Sequence, residues 1–175
     1  DIVLLLVTVR LACYLLQKAH HLVTAELAKI VGDHRHEFFD RLRRDTQGMV
    51  DDIDHLGGLV LLGGPGDINQ PTGWMTSEQV LLGRALSQGL PVLGVCLGAQ
   101  MLSKALGGEV RPNKSLEVGW HPVVNHASQD WFADLPASFD VFQWHAHTFT
   151  LPPGATVLAR NDCAELQAFA FVTSL

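Results

Sequence analysis

Residues 2–9 form a nearly unbroken apolar run, Ile-Val-Leu-Leu-Leu-Val-Thr-Val. Continuous apolar runs of this length, rich in β-branched residues, predict a strand buried on both faces, as parallel sheets require. The period then changes. Over residues 11–31, Leu15, Leu22, Leu27 and Ile30 share much of one helical face, and Gly32 follows as a stop. Residues 33–54 are polar and rich in His, Arg and Asp; a short strand and a helix are expected there without clear bounds. Residues 59–62 predict a second buried strand, running into Gly63-Gly64-Pro65-Gly66. Residues 76–88 read as a helix, with Thr76 or Ser77 as its cap and Gly89 as its stop. Residues 91–95 predict a third buried strand, and residues 97–106 a helix ending at Gly107-Gly108. From Glu109 the texture turns to short alternating segments broken by Pro, Asn and Gly, with strands expected at 118–125, 140–144, 156–159 and 168–172.

Strands alternating with helices predict an α/β fold: an open, mostly parallel sheet with flanking helices, and antiparallel strands added at one edge. No repeat or linker divides residues 1–175, so one domain is expected. An apolar fraction of 47% against 17% charged residues is that of a compact core rather than a disordered chain. The formal net charge is −6, and the short basic run Arg41–Arg44 is flanked by Asp40 and Asp45, which argues against nucleic acid as a partner. Arg10 interrupts the first apolar stretch, which is too short to span a bilayer, so no membrane association is expected. The chain starts with Asp1 and lacks the basic start of a signal peptide. Three widely spaced cysteines, Cys13, Cys96 and Cys163, form neither a disulfide framework nor a CxxC metal pattern, and fit a reducing, cytoplasmic setting. Asp33, His34, His36 and Glu37 lack strict ligand spacing and read as a solvated polar turn; no metal and no cofactor is expected. Cys13 and Cys163 read as half-buried packers, and Trp120 and Trp131 as core or surface-cover residues.

Candidate chemistry is concentrated at Cys96. A buried strand runs into Gly94-Val-Cys96-Leu-Gly98, and a helix follows at once. This is the sulfur form of the nucleophile elbow, in which a tight strand-to-helix turn lifts the nucleophile out at the carboxyl end of a sheet. The turn needs small neighbours, which Gly94 and Gly98 supply. Free N–H groups and the positive dipole end of the helix are expected to lower the thiol pKa and favour thiolate. Gly63-Gly64-Pro65-Gly66 lets the backbone approach a ligand closely, so a backbone N–H there can serve an oxyanion, with a second donor from Leu97. It is too short for a phosphate-binding loop, and no Gly-Lys-Ser/Thr follows.

Taken in order, Leu-Gly-Gly-Pro-Gly-Asp at 62–67, Pro-Val-Leu-Gly-Val-Cys-Leu-Gly-Ala-Gln at 91–100 and Ala-Leu-Gly-Gly-Glu-Val at 105–110 resemble the class I glutamine amidotransferases. Val-Gly-Trp-His-Pro-Val at 118–123, Phe-Gln-Trp-His at 142–145, Leu-Pro-Pro-Gly-Ala at 151–155 and Gln-Ala-Phe at 167–169 extend the match, which is similar in flavour to the amidotransferase part of GMP synthase and its stand-alone relatives. The resemblance runs from about Leu56 to Phe171 and implies a flavodoxin-like sheet. It also implies glutamine as substrate, Cys96 as nucleophile, and Gly64 and Leu97 as oxyanion donors. Gln100 and a loop Trp144-His145-Ala146-His147 would line the glutamine pocket, the loop largely through its backbone. Ala146 stands where this family often has Gly. A synthetase partner or acceptor domain would receive the ammonia.

One departure stands out. The family takes its catalytic His and Glu from a Phe-His-Pro-Glu segment shortly after the Gln-Ala-Phe stretch, and no His-x-Glu follows Gln167 here. The domain is therefore expected to be incomplete at the C-terminus, and at the N-terminus too, and the chain as written to hydrolyse glutamine poorly or not at all. His145 is the alternative base. Two other function classes fit part of the pattern. One is a cysteine hydrolase or peptidase on a similar sheet, which Gly-Gly-Pro and Gln100 argue against. The other is a non-catalytic regulatory module that keeps the pocket without the base.

Overall fold

The computed structural model describes residues 2–6, 53, 56–126, 132 and 135–172, the first of these segments by its backbone. Among these residues, seven strands form one sheet. Strand β1 (Ile2–Leu6) and strand β2 (Leu59–Leu61) both lie parallel to β3 (Val92–Val95), with Leu4 opposite Leu93 and Leu59 opposite Val92. Beyond β1 the sheet turns antiparallel through β7 (Ala168–Val172), β6 (Thr156–Arg160), β4 (Val110–Asn125) and β5 (Ser138–Phe149), giving the order β2-β3-β1-β7-β6-β4-β5. The parallel part thus holds three of the described strands and the antiparallel part four, a larger addition than the expected edge.

Helix α1 (Gly73–Ser87) starts about one turn earlier than its predicted cap. Thr76 and Ser77 lie inside it and donate their hydroxyls back to the carbonyls of Thr72 and Gly73, each at 3.3 Å, so they do not cap the helix. Met75, Leu82 and Ala85 form the buried stripe, with Leu81 beside it. Helix α2 (Leu97–Ala105) is buried over nearly its whole length, because it lies between the sheet and α1. Both helices stop where glycine allows. Gly89 and Gly107 take φ of 68° and 90°, and the next residues, Leu90 and Gly108, donate back to Ala85 and Ser103 at 3.0 and 2.8 Å. The helix predicted over residues 11–31 and the elements expected over 33–54 lie outside the described residues, apart from Ile53, which is buried.

One core cluster gathers Leu61, Met75, Leu82, Met101, Leu102 and Phe169 under the two helices. A second, around Val123, Phe132, Val141 and Leu158, fills the antiparallel end. Polar ties brace the first cluster. Ser103 donates to the Thr150 carbonyl at 2.9 Å, Asn69 to the Val110 carbonyl at 2.9 Å, and Lys104 to the Ile68 carbonyl at 3.0 Å. Among the described residues no helix is long and apolar enough to cross a membrane.

The contact that sets the spacing of β2, β3 and α2 is made by two glycines. A Cβ at Gly98 would run into the Leu61 carbonyl oxygen and lie 2.6 Å from the Leu61 Cβ; one at Gly94 would lie 2.7 Å from the Gly98 oxygen. Gly98→Ala is therefore expected to lower stability by about 1–3 kcal/mol or more, the scale of overpacking. Gly83→Ala, on the exposed face of α1 with nothing within 4 Å, should raise it by about 0.5–1 kcal/mol. Urea unfolding midpoints check both, and equal shifts for the two variants would refute the close-approach argument.

Candidate active site

Cys96 occupies the junction of β3 and α2. Its backbone sits at φ 54°, ψ −110°, and it is the single non-glycine residue with positive φ among those described. Such a conformation costs about 1–3 kcal/mol and persists only where the surroundings over-determine it. Here strand β3 precedes it, α2 starts on it, Gln100 N–H already donates to the Cys96 carbonyl at 3.1 Å, and the Gly94–Gly98 contact closes the turn. The elbow expected from Gly-x-Cys-x-Gly is present, with the small residues where the sterics demand them.

The Gly63-Gly64-Pro65-Gly66 turn lies against it. A Cβ at Gly63 would sit 3.1 Å from the Cys96 Cβ and 3.6 Å from its Sγ, so Gly63 faces the thiol directly. A Cβ at Gly64 would make ordinary contacts of 3.7 Å with Leu97 Cδ2 and Trp74 Cη2. Trp74, half-exposed on the first turn of α1, therefore walls the turn on one side. Sequence reasoning passed over both Gly63's direct approach and Trp74; the aromatic directly after Thr72-Gly73, at the start of a helix, is the signal that was there to use. Leu97 and Gln100 are buried in the first turn of α2, next to the thiol and four residues beyond it.

The thiol itself departs from expectation. Burial pushes Cys96 up from its ordinary 9.0, and the Leu97 backbone N–H draws it only part of the way back. The helix start does supply a donor, but desolvation of the thiolate outweighs it, so ionisation calls for a base.

Residues 144–147 are not a loop. They lie within β5, paired with β4 through Val118 opposite Trp144 and Glu117 opposite His145. The strand pleat splits them between two faces. Trp144, 75% exposed, and Ala146 point outward, while His145 is buried and His147 half-buried. What His145 meets is a polar cluster that sequence reasoning did not anticipate, centred on the fully buried Glu117. Glu117 Oε1 accepts from Asn161 Nδ2 at 2.6 Å; Oε2 accepts from Gln167 Nε2 at 3.1 Å and lies 3.0 Å from His145 Nε2. Gln143 Nε2 donates to Gln167 Oε1 at 2.7 Å, and Gln143 Oε1 lies 3.0 Å from His145 Nε2. On the other side of the ring, Nδ1 is 3.0 Å from Asn113 Nδ2 and 2.9 Å from the His147 carbonyl oxygen. Asn161 is held in turn by the N–H groups of Cys163 and Ala164.

Cys163 is half-buried, near the Ser115 hydroxyl at 3.8 Å, and Trp120 packs edge-on against Phe142 on the outer face, 54% exposed. Cys13, Trp131 and the polar turn Asp33, His34, His36, Glu37 lie outside the described residues.

A strained cysteine at a strand–helix junction, beside a Gly-Gly turn, accounts for the motifs that carried the resemblance. The family model for class-I glutamine amidotransferases matches residues 37–172. The chain belongs to this family. Among curated proteins, it is 41% identical over 121 residues to the glutamine-hydrolysing GMP synthase of Thermomicrobium roseum, covering 67% of this chain and 22% of that protein. It is 38% identical over 117 residues to that of Aeropyrum pernix, covering 66% and 22%. Among solved structures, it resembles a glutamine amidotransferase from Thermotoga maritima at 34% identity and a TM-score of 0.64, over 68% of this chain and 53% of that one. One from Methylobacillus flagellatus gives 35% identity and a TM-score of 0.63, over 69% and 49%. The chain thus spans about a fifth of the curated relatives' length and about half of the solved ones.

The buried carboxylate of this amidotransferase domain has a consequence for acid stability. Burial works to raise the Glu117 pKa, but hydrogen bonds from His145 and Asn161, attraction to His145 and the Gln167 hydrogen bond together outweigh it, so the group titrates below its ordinary 4.5. A depressed folded value contributes stability that is present above the unfolded pKa and is lost as the pH falls through the folded one. Stability should therefore decline on acidification below about pH 4.5, by up to about 1.4 kcal/mol per pH unit for the single proton. In Glu117→Gln that part of the acid limb should flatten, as read by urea unfolding at a series of pH values. An unchanged acid limb would remove Glu117 as its source.

Proposed function

We propose that this domain hydrolyses the side-chain amide of glutamine through a thioester on Cys96 and passes the ammonia to a synthetase partner. The observation that carries the reading is the strained Cys96 at the end of a parallel strand, with Gly63 against its sulfur and the first N–H of α2 beside it. We read β2, β3 and β1 with α1 and α2 as a flavodoxin-like unit, in which ligands bind at the carboxyl ends of the strands.

In this mechanism the Cys96 thiolate attacks the amide carbon. The carbonyl oxygen becomes an oxyanion, held by the backbone N–H groups of Gly64 and Leu97. Collapse expels the amine, which leaves as ammonia once protonated, and a glutamyl thioester remains. Water then attacks the thioester, releasing glutamate and restoring the thiol. Gln100 on α2 and the backbone of Trp144, His145, Ala146 and His147 on β5 shape the pocket for the amino-acid end of the substrate. His145 is engaged at both ring nitrogens by Glu117, Gln143, Asn113 and the His147 carbonyl, which favours a shaping role over proton transfer. The relatives named as glutamine-hydrolysing GMP synthases motivate the synthetase as ammonia acceptor.

A diazo-ketone analogue of glutamine should alkylate Cys96 with loss of dinitrogen. Peptide mapping that placed the label chiefly on Cys13 or Cys163 would sink the nucleophile assignment. For the oxyanion site, a Cβ at Gly64 has ordinary room. Gly64→Val keeps the backbone N–H but should crowd the place where the tetrahedral oxygen sits, lowering kcat for glutamine by about 10²–10³, the scale of one oxyanion donor put out of use, in a version of the domain with measurable turnover. An unchanged kcat in the folded variant would take Gly64 out of the site.

A further inference from the structure

The cluster around Glu117 closes on itself. His145 Nε2 faces two acceptors, Glu117 Oε2 and Gln143 Oε1, both at 3.0 Å. Gln143 hands its amide N–H to Gln167 Oε1, and Gln167 hands its own to Glu117 Oε2. Four side chains from β4, β5 and the start of β7 therefore form a hydrogen-bonded ring running His145 to Gln143 to Gln167 to Glu117, with His145 also donating straight to Glu117. A ring of amides alone would run equally well in either direction, since each amide offers a donor and an acceptor. A carboxylate has acceptors only. It also takes the Asn161 amide N–H, and Asn161 is held against rotation by accepting from Cys163 and Ala164 through its other atom.

We infer that Glu117 is a positioning residue of the glutamine pocket: its carboxylate sets the direction of the buried ring, and so places the proton of His145 on Nε2 and leaves Nδ1 as an acceptor for Asn113, whose N–H offsets the repulsion from the His147 carbonyl oxygen 2.9 Å away. The pocket part of this inference rests on the functional reading above, in which the backbone of 144–147 lines the substrate site. Asn113 lies at the irregularity of β4 between Pro112 and Glu117, whose register partners are His147 and His145. Its amide N–H reaches both His145 Nδ1 at 3.0 Å and the His145 carbonyl at 3.4 Å. The imidazole thus carries the orientation of a residue on β4 across to the β5 segment. The reversed arrangement is also available. With an amide at position 117, residue 117 donates to Gln167 Oε1 and His145 Nε2, every ring amide turns over, and His145 protonates Nδ1 toward the His147 carbonyl, 2.9 Å away. Asn113 then meets an N–H instead of a lone pair; turning its amide to accept that N–H through Oδ1 gives up the bond to the His145 carbonyl, so the tie between the β4 irregularity and β5 is weakened.

Glu117→Gln, nearly isosteric, tests this. Heteronuclear NMR of the imidazole nitrogens should show the His145 proton on Nε2 in the native chain and on Nδ1 in the variant. The apparent KI of the diazo-ketone glutamine analogue for alkylation of Cys96 should rise about tenfold, the scale of one lost charge-assisted hydrogen bond, with kinact little changed. Glu117→Asp keeps the carboxylate and should retain the Nε2 proton. Should Glu117→Gln not fold, Gln167→Met opens the ring opposite His145 while leaving the direct Glu117 bond, and should keep both the Nε2 proton and a native KI. A folded Glu117→Gln with the proton still on Nε2, or a Gln167→Met in which it moves, overturns the proposal. A moved proton with unchanged KI overturns the pocket role. Failure of the native chain to be alkylated at Cys96 would instead strike the functional reading, and the NMR result would still decide the ring.

Discussion

The architecture around Cys96 depends on one constraint, the near-contact of the Gly98 backbone with the Leu61 carbonyl. It brings α2 down onto β2 and fixes the angle at which the chain leaves β3. The positive φ of Cys96 then follows. Backbone strain survives where packing leaves no relaxed alternative, and here the packing partners are main-chain atoms that cannot swing aside. Stability and chemistry therefore meet at the same glycines. Activity lost on substituting Gly94 or Gly98 carries no information about catalysis, whereas at Gly64, where a Cβ has ordinary room, it does.

The antiparallel half solves a different problem. It must hold a long hairpin, β4 with β5, in register beside the parallel strands, and it does so with a buried polar cluster beside its apolar core. Glu117, Gln143 and Gln167 are each almost wholly enclosed. Burying such groups is costly unless every hydrogen bond is made, and the ring with Asn161 and His145 makes nearly all of them. Directional bonds of this kind specify one register, where an apolar seam would tolerate slippage.

Much of the parallel half was legible in the sequence, because each of its features has a local cause. Apolar runs marked β2 and β3, Gly-x-Cys-x-Gly marked the elbow, and Gly89 and Gly107 marked the helix ends. Helix α1 was placed late because Thr76 and Ser77 look like caps but bond backward to carbonyls. The hairpin was underread for a stronger reason. Strand β4 was expected from 118 and begins at Val110, since Pro112 and the register shift before Glu117 break its alternation. In β5 the alternation is inverted: Phe142 and Trp144 lie toward the outer face, and Gln143 and His145 face in. Hydrophobicity points inward to the wrong residues here, so it does not reveal Glu117; the loop at 144–147 is an expectation of the family resemblance alone, and the alternation places a strand up to Trp144. No short-range pattern announces a carboxylate whose partners lie up to 50 residues away along the chain.

That inversion alters how natural variation in this domain should be interpreted. Hydropathy scales rank a change by the greasiness it adds or removes, on the premise that apolar means inside. From Phe142 to His145 the premise fails. A polar replacement at Trp144 trims a side chain already in water, whereas a leucine at 143 or 167, scored as conservative for an enclosed position, would leave amide or carboxylate partners stranded without donors. Variant-effect scores built on burial preference alone would therefore misorder substitutions between Phe142 and His145, tolerating the damaging ones and flagging the harmless.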